Sequence, residues 1–331
     1  MSIVSKNEWD TLKKVIVGTA TDARIPEMDL SLKVINYADN NSSRVPMAGL
    51  YPQQVIDEAN EDLEIFCNFL KNQGVEVLRP DCSHVPGYYN YCPRDSVLVY
   101  DNLILATPQP LRARQGEYLA IEQHFVKSQQ AGAKYIVAQA KKTDDLYNQE
   151  CLGDQNVLAL TEIEPAFDAA NILRDNDNLY YLVSNGGNRA GAAYLQELVG
   201  PGKKVWPVEN IYSFMHIDST IALLREGLML LNPSRINDVK QLPKPLQSWD
   251  VIWAPDPGHI DHYPGYCNSS SWLNVNLFSI TPNLVALLDS QHNLRRQLES
   301  HKIECAMLPG RHQRTLGGGF HCVTLDLERS A

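Results

Sequence analysis

No apolar run in the chain approaches the ~20 residues that a membrane-spanning helix needs, and the opening stretch MSIVSKNEWD has neither the basic region nor the apolar stretch of a signal peptide. Both absences lead to the expectation of a soluble cytoplasmic protein. Cysteine is scarce and wrongly spaced for a structural role. Cys67, Cys82, Cys92, Cys151, Cys267, Cys305 and Cys322 are odd in number and never fall as CxxC, which argues against a disulfide framework or a zinc knuckle. They read as reduced thiols, most of them small core residues. Low-complexity segments and Pro/Ser linkers are also missing, so the 331 residues are expected to form one domain, 1–331. Basic residues are in deficit: 29 Lys and Arg against 39 Asp and Glu leave a formal charge of −10. That disfavours nucleic acid and mildly favours a cationic ligand. What the chain does have is ordinary globular usage, 44% hydrophobic and 21% charged, enough for a sizeable core.

A unit of strand, tight turn, strand, helix, strand recurs. In SVLVYDNLILAT two β-rich runs flank Asp101-Asn102, a hairpin signal. GEYLAIEQHFVKSQQAG follows, with Tyr118, Ile121, Phe125 and Val126 on one helical face and a stop at Gly132, and then the strand AKYIVAQ. The order returns in ANILRDNDNLYYLVSN, GAAYLQELVG and KKVWPV. It returns again in STIALLREGLMLLNPS, a polar segment with helical potential, and WDVIWAP. WLNVNLFSITPNLVALLDS, NLRRQLESH and IECAMLP make a further copy. The strand HCVTLDL near the C-terminus lacks its own partners, and the N-terminal region supplies them: KKVIVG, an amphipathic helix from Gln53 to Gln73, and VEVLRP. Five units thus close into a ring, an α/β five-bladed propeller in which both ends of the chain complete one blade. The competing architecture is a two-domain α/β protein with mixed sheets.

Unusual polar residues recur at one point of the repeat. Asp95, Asp168, His216 with Asp218, Ser269 with Ser270, and Cys322 all precede or open the first strand of a unit. From Asp168 through Asp218 and Ser270 to Cys322 the spacings are 50, 52 and 52 residues. Equivalent positions of a closed ring face the same end of its axis, so a Cys, a His, three carboxylates and two hydroxyls are expected in one pocket. Gly317 to Gly319 would let the backbone and a ligand approach closely at its floor, although a Gly-rich turn is also a common hairpin or bulge device.

A thiol attacks electrophilic sp² carbon as a thiolate, and a nearby base takes its proton. His216 is the candidate base, with Asp218 two positions along a strand facing the same way. Carboxylates around a thiol make sense when the substrate carries the positive charge. A planar guanidinium with five N–H donors can be held by two or three of them with its carbon over the sulfur. PRD and FDAAN also read as turns in which Asp accepts backbone N–H bonds.

At these residues the chain resembles the amidinotransferases of the pentein superfamily. The likeness runs in order through EWDTLKKVIVG, CPRDSVLV, DDLYN, EPAFDAAN, MHIDST, LLNPSRIND, SSSWLNVN and LGGGFHC. It implies a five-bladed α/β propeller of ββαβ modules and transfer of an amidino group from L-arginine to an amine, with no metal or cofactor. By the same resemblance Cys322 matches the nucleophile that forms an amidino-cysteine. Asp168 and His216 match the acid/base pair, and Asp95 and Asp218 the guanidinium ligands. Arg235, with Ser269 and Ser270, matches the carboxylate site. Ser213 and Met215 match acceptor positions where glycine-using members carry Asn and Met and members with bulkier acceptors carry Phe and Ser. Small-molecule substrates are implied as partners, and homodimers occur in the family. A role in bacterial specialised metabolism is expected.

A rival reading is an arginine deiminase-type hydrolase, in which water resolves the intermediate. A catalytically silent propeller is a third, disfavoured by the complete Cys/His/Asp set. His259 and His262 have HxxH spacing and read as a surface loop.

Overall fold

The two β-rich runs either side of Asp101-Asn102 pair as the hairpin Val97–Tyr100 with Leu103–Ala106, and Asp101 takes the left-handed φ of 53° that the tight turn requires. This hairpin supplies two strands of one of the five three-stranded sheets in the computed structural model, which describes residues 4–37, 47–83, 89–130, 132–140, 142–152, 154 and 156–330. The hairpin's second strand then pairs in parallel with Lys134–Val137. The same antiparallel-then-parallel order builds Ile172–Asp175, Asn178–Leu182 and Lys204–Val208. It also builds Ile221–Arg225, Leu228–Leu231 and Asp250–Trp253, and Phe278–Thr281, Leu284–Leu288 and Glu304–Leu308. The fifth sheet is closed from both ends of the chain: Thr324–Ser330 pairs antiparallel with Thr11–Val17, which pairs in parallel with Glu76–Leu78. Five three-stranded sheets therefore form the expected propeller.

The helices cover the outer strands. Gln53–Asn72 buries Val55, Ile56, Ala59, Leu63, Phe66, Cys67 and Leu70, a stripe at helical spacing. Phe66 meets Phe278 and Phe320 edge-on, with centroids 6.5 and 4.9 Å away, so the helix of one blade reaches the neighbouring sheet and the turn before Cys322. Each such fully buried side chain contributes ~1.5–3 kcal/mol by leaving water.

Two expected helices differ. The segment after the first hairpin forms a short 3-10 turn, Glu117–Ala120, and only then the helix Gln123–Gln130. Ile121 and Phe125 are buried there, but Val126 is exposed. The later start rotates Val126 off the inward face. In the third unit the polar segment makes two 3-10 turns, Val239–Gln241 and Lys244–Ser248, in place of an α-helix. Pro243 and Pro245 remove backbone donors that a continuous helix would need.

A single helical turn precedes the innermost strand of four sheets: Pro93–Ser96, Ala169–Asn171, Ile217–Ser219 and Trp272–Asn274. Before the fifth stand Gln313–Leu316 and the turn that carries Cys322. These turns ring one end of the axis. The axis itself is filled by charge. Arg174 donates to Val99 O, Ser5 Oγ, Glu8 and Asp326, joining three innermost strands, and Asp326 also takes Arg94 at 2.6 Å and Arg329 at 2.7 Å.

Candidate active site

Cys322 is buried at the floor of a cavity of about 220 Å³. Three neighbours fix its sulfur. Asn276 places Nδ2 3.1 Å from Sγ and accepts the Cys322 backbone N–H on Oδ1. Asp218 Oδ2 lies 3.3 Å from Sγ, and the Cys92 thiol shares a hydrogen bond with it. That Cys92 bond, burial and the Asp218 charge push the thiol well above its ordinary pKa. These neighbours favour the thiol over the thiolate.

The glycines before it have separate reasons. Gly317 caps the turn Gln313–Leu316 with a φ of 98°, in the left-handed region. Gly318 and Gly319 are needed for space: a Cβ on Gly318 would lie 2.6 Å from Cys92 Sγ and 2.7 Å from Cys322 Cβ, and one on Gly319 2.7 Å from Asn276 O. The close approach expected of a ligand is made at these two positions by the protein itself.

His216 begins a 3-10 turn and not a strand, and still faces the carboxylates. Its Nε2 is 3.0 Å from Asp168 Oδ2 and its Nδ1 3.7 Å from Asp95 Oδ1. Burial alone would lower its pKa. Asp95, the hydrogen-bonded Asp168 and Asp218 outweigh that and carry it up to about 9. Asp168 is fully buried behind the imidazole, with Gln109 Nε2 3.2 Å from its other oxygen.

Asp95 is clamped on one side only. Arg114 Nη1 bonds Oδ2 at 2.8 Å and forks onto Glu117, while Oδ1 is buried with no hydrogen-bond partner. Burial raises the Asp95 pKa against the pull of His216 and Arg114. Arg235 is the converse case. It lies 3.5 Å over the Tyr212 ring and bonds Ser219, Thr220 and Ser270 Oγ, with no carboxylate partner among the described residues. Ser269 Oγ, in the cavity wall, is buried and unpartnered.

No protein-family model matches the chain. Inosamine-phosphate amidinotransferase 1 of Streptomyces glaucescens is 39% identical over 345 residues, covering 100% of this chain and 98% of that protein. The chain belongs to the amidinotransferase family. The L-arginine:L-lysine amidinotransferase of Pseudomonas savastanoi pv. phaseolicola is 30% identical, with 99% and 94% covered. The solved structure of an inosamine-phosphate amidinotransferase from Streptomyces griseus superposes with a TM-score of 0.91 at 39% identity, over 99% of this chain and 97% of that one.

In this amidinotransferase the fold brings Cys322, His216, Asp95, Asp218, Ser269, Ser270 and Met215 into the cavity wall. Asp168 stands behind His216, and Arg235 behind Ser219 and Ser270. Ser213 is exposed and outside the wall, where Phe214 stands beside Met215. His259 and His262 are exposed, His259 bonding Asp261 at 2.9 Å. Sequence reading missed Arg114, Glu117, Asn276 and Cys92, as well as a cap that includes Arg24, Leu32, Asn36, Tyr37 and Tyr51. For Cys92 and Asn276 a signal existed, since each adjoins a motif residue in CPRD or SSSWLNVN. The cap carries none, because nothing in the repeat predicts an insertion between the first strand and its helix. All seven cysteines are free, with Cys67, Cys92, Cys151 and Cys322 buried. Among the described residues no helix is long and apolar enough to cross a membrane.

Proposed function

We propose that this amidinotransferase takes the amidino group of L-arginine onto Cys322, releases L-ornithine, and passes the group to the primary amine of a small biosynthetic acceptor. The observation that carries the reading is a pair of open positions in the site, one carboxylate oxygen without a hydrogen bond and one arginine without a carboxylate. Asp95 Oδ1 is buried without a hydrogen bond at the end with the thiol, and Arg235 is held by Ser219, Thr220 and Ser270 with no carboxylate partner among the described residues. Arginine answers both, its guanidinium lying between Asp95 and Asp218 and its α-carboxylate on Arg235 with the help of Ser269 and Ser270.

The charge balance also explains activation of a thiol whose pKa its neighbours hold up. A guanidinium between the carboxylates cancels their repulsion and sets a cation beside the sulfur, which favours the thiolate. The thiol releases its proton to solvent as the guanidinium binds, and as the S–C bond forms and the C–Nε bond breaks His216 gives its own proton to the departing nitrogen, which leaves the imidazole neutral. Asp168 holds the imidazole in place. In the second half His216 takes a proton from the incoming amine, which attacks the amidino carbon and frees the thiol. Met215, Phe214 and the cap face that amine, with Ser213 beside the mouth. The donor accords with the arginine-using lysine amidinotransferase relative. An amine on a biosynthetic scaffold accords with the inosamine-phosphate relatives.

The test is intact-protein mass after incubation with arginine alone. A stable adduct of one amidino group, stoichiometric ornithine, and loss of both in Cys322→Ala are expected. Continuous citrulline and ammonia would identify water as the acceptor, and activity in Cys322→Ala would exclude the covalent route.

A further inference from the structure

His321, directly before the thiol, has carboxylates at both ring nitrogens. Nδ1 lies 2.8 Å from Asp218 Oδ2 and Nε2 3.4 Å from Glu8 Oε2, and the residue is 7% exposed. A neutral imidazole has one N–H and one lone pair, so between two carboxylates it leaves one contact repulsive. The imidazolium form donates in both directions. Glu8 is fixed as a carboxylate by the Arg174 fork at 2.7 and 2.8 Å, and the backbone of His321 is held by Arg94 Nε on its carbonyl and Asn276 O on its amide. A second cavity, of about 10 Å³, lies against the pair, with Glu8, Asp218, Ser279 and His321 in its wall. Asp218 is thus a partition between two cavities, with His321 at its back.

Without a cation there, burial would favour a proton on Asp218, leaving His216 as the imidazole on its pocket side. We propose that His321 is a positioning residue, a buried imidazolium that keeps Asp218 a carboxylate, fixed against the sulfur and charged for the incoming guanidinium. The inference rests on the reading of Asp218 as a ligand of the donor guanidinium. It accounts for Asp218 lying below its ordinary pKa. Burial pushes that group up, and His321, through its hydrogen bond and charge, leads the groups that bring it down, followed by His216 and the Cys322 hydrogen bond. The other charged groups around the pair are Arg235 and Asp95 on the pocket side, and Glu8, Arg94, Arg174 and Asp326 along the axis.

The test uses Cys322→Ala, which binds donor without turnover, and follows arginine affinity by calorimetry from about pH 8 to about pH 4. Asp95 gives the parent and its variants a shared loss of binding in acid. His321→Gln should move the pH of half-maximal affinity upward by about one to three units, the size of a neighbouring opposite charge. His321→Lys should move it back. A merely structural role would lower affinity at every pH and leave that midpoint in place, and this result overturns the proposal. Ring ¹⁵N spectra of the otherwise unaltered protein provide a second readout, with His216→Gln removing the other carboxylate-paired imidazole of the site. His259 and His312 also face carboxylates, so the expected signal is a doubly protonated ring at about pH 7.5 that disappears on His321→Gln, and a spectrum in which no such ring disappears overturns the proposal. If the parent binds no arginine at any pH, the donor reading fails and the ring spectrum alone decides this inference.

Discussion

His216 shows how far a single side chain is moved from its solution behaviour. Its pKa lies near 6.5 in an unfolded chain and is carried up to about 9 in the fold by Asp95, Asp168 and Asp218 acting against burial. The sign of the linkage follows. Stability from this group is complete below about pH 6.5, where it is protonated in both states, and is lost as pH rises through the folded value of about 9. In the proposed reaction the same proton is the one given to departing ornithine. Single-turnover ornithine release should therefore fall about tenfold for each pH unit beyond about 9. A rate that keeps rising to about pH 10 would remove His216 from the role of acid. The opposite adjustment at Cys322 belongs with it, because the Cys92 hydrogen bond, burial and Asp218 raise the thiol pKa and a bound cation would bring it down.

At the level of elements, the single helical turns before the innermost strands are what place these side chains. Each turn carries or adjoins a polar residue at the same ring height, and the Gly317–Gly319 stretch does this for the thiol. Gly318→Ala tests that placement. Its φ is not in the left-handed region, so the whole cost comes from a Cβ 2.6 Å from Cys92 Sγ and 2.7 Å from Cys322 Cβ. Overpacking of this kind costs about 1–3 kcal/mol. The expected result is a lower thermal midpoint together with adduct formation slowed at least about tenfold. A lower midpoint with an unchanged adduct rate would mean that the turn does not set the sulfur's position.

What could be read in advance follows the same division. The hairpins were legible because Asp101-Asn102 and Glu226-Gly227 interrupt β-rich runs in a way few other structures allow. The pocket was legible because the polar residues recur about every 50 residues on a closed ring. The 3-10 start at His216 was not, since MHIDST alternates like a strand and only the hydrogen bonds of residues 217–220 reveal the turn. Arg114 and Glu117 lay outside reach for another reason. In RARQGEY they look like a charged surface, and only their approach to Asp95 across 19 residues makes them part of the site.

For the molecule as a whole, the axis of the ring is held by charge. Arg174, 1% exposed, bonds Glu8 and Asp326 and a carbonyl of the neighbouring sheet, so it ties the sheets to one another more than it stabilises its own strand. Removing one partner from such a buried network leaves the others uncompensated, at a cost of about 3–5 kcal/mol. Arg174→Leu should lower the unfolding free energy in urea by that amount. A loss under about 1 kcal/mol would mean that water or rearranged arginines replace the guanidinium.

The pairing of Thr324–Ser330 with Thr11–Val17 also has a consequence for synthesis. A ribosome making this protein can fold the middle sheets as they emerge, since each is local in sequence. The first strand must wait until some three hundred further residues have been added before its antiparallel neighbour exists. Cys322 arrives just ahead of that neighbour, so the thiol meets Asp218 and His216 only as the ring closes. The assembled site, with Asp218 against the sulfur, therefore comes into being only with the closed ring.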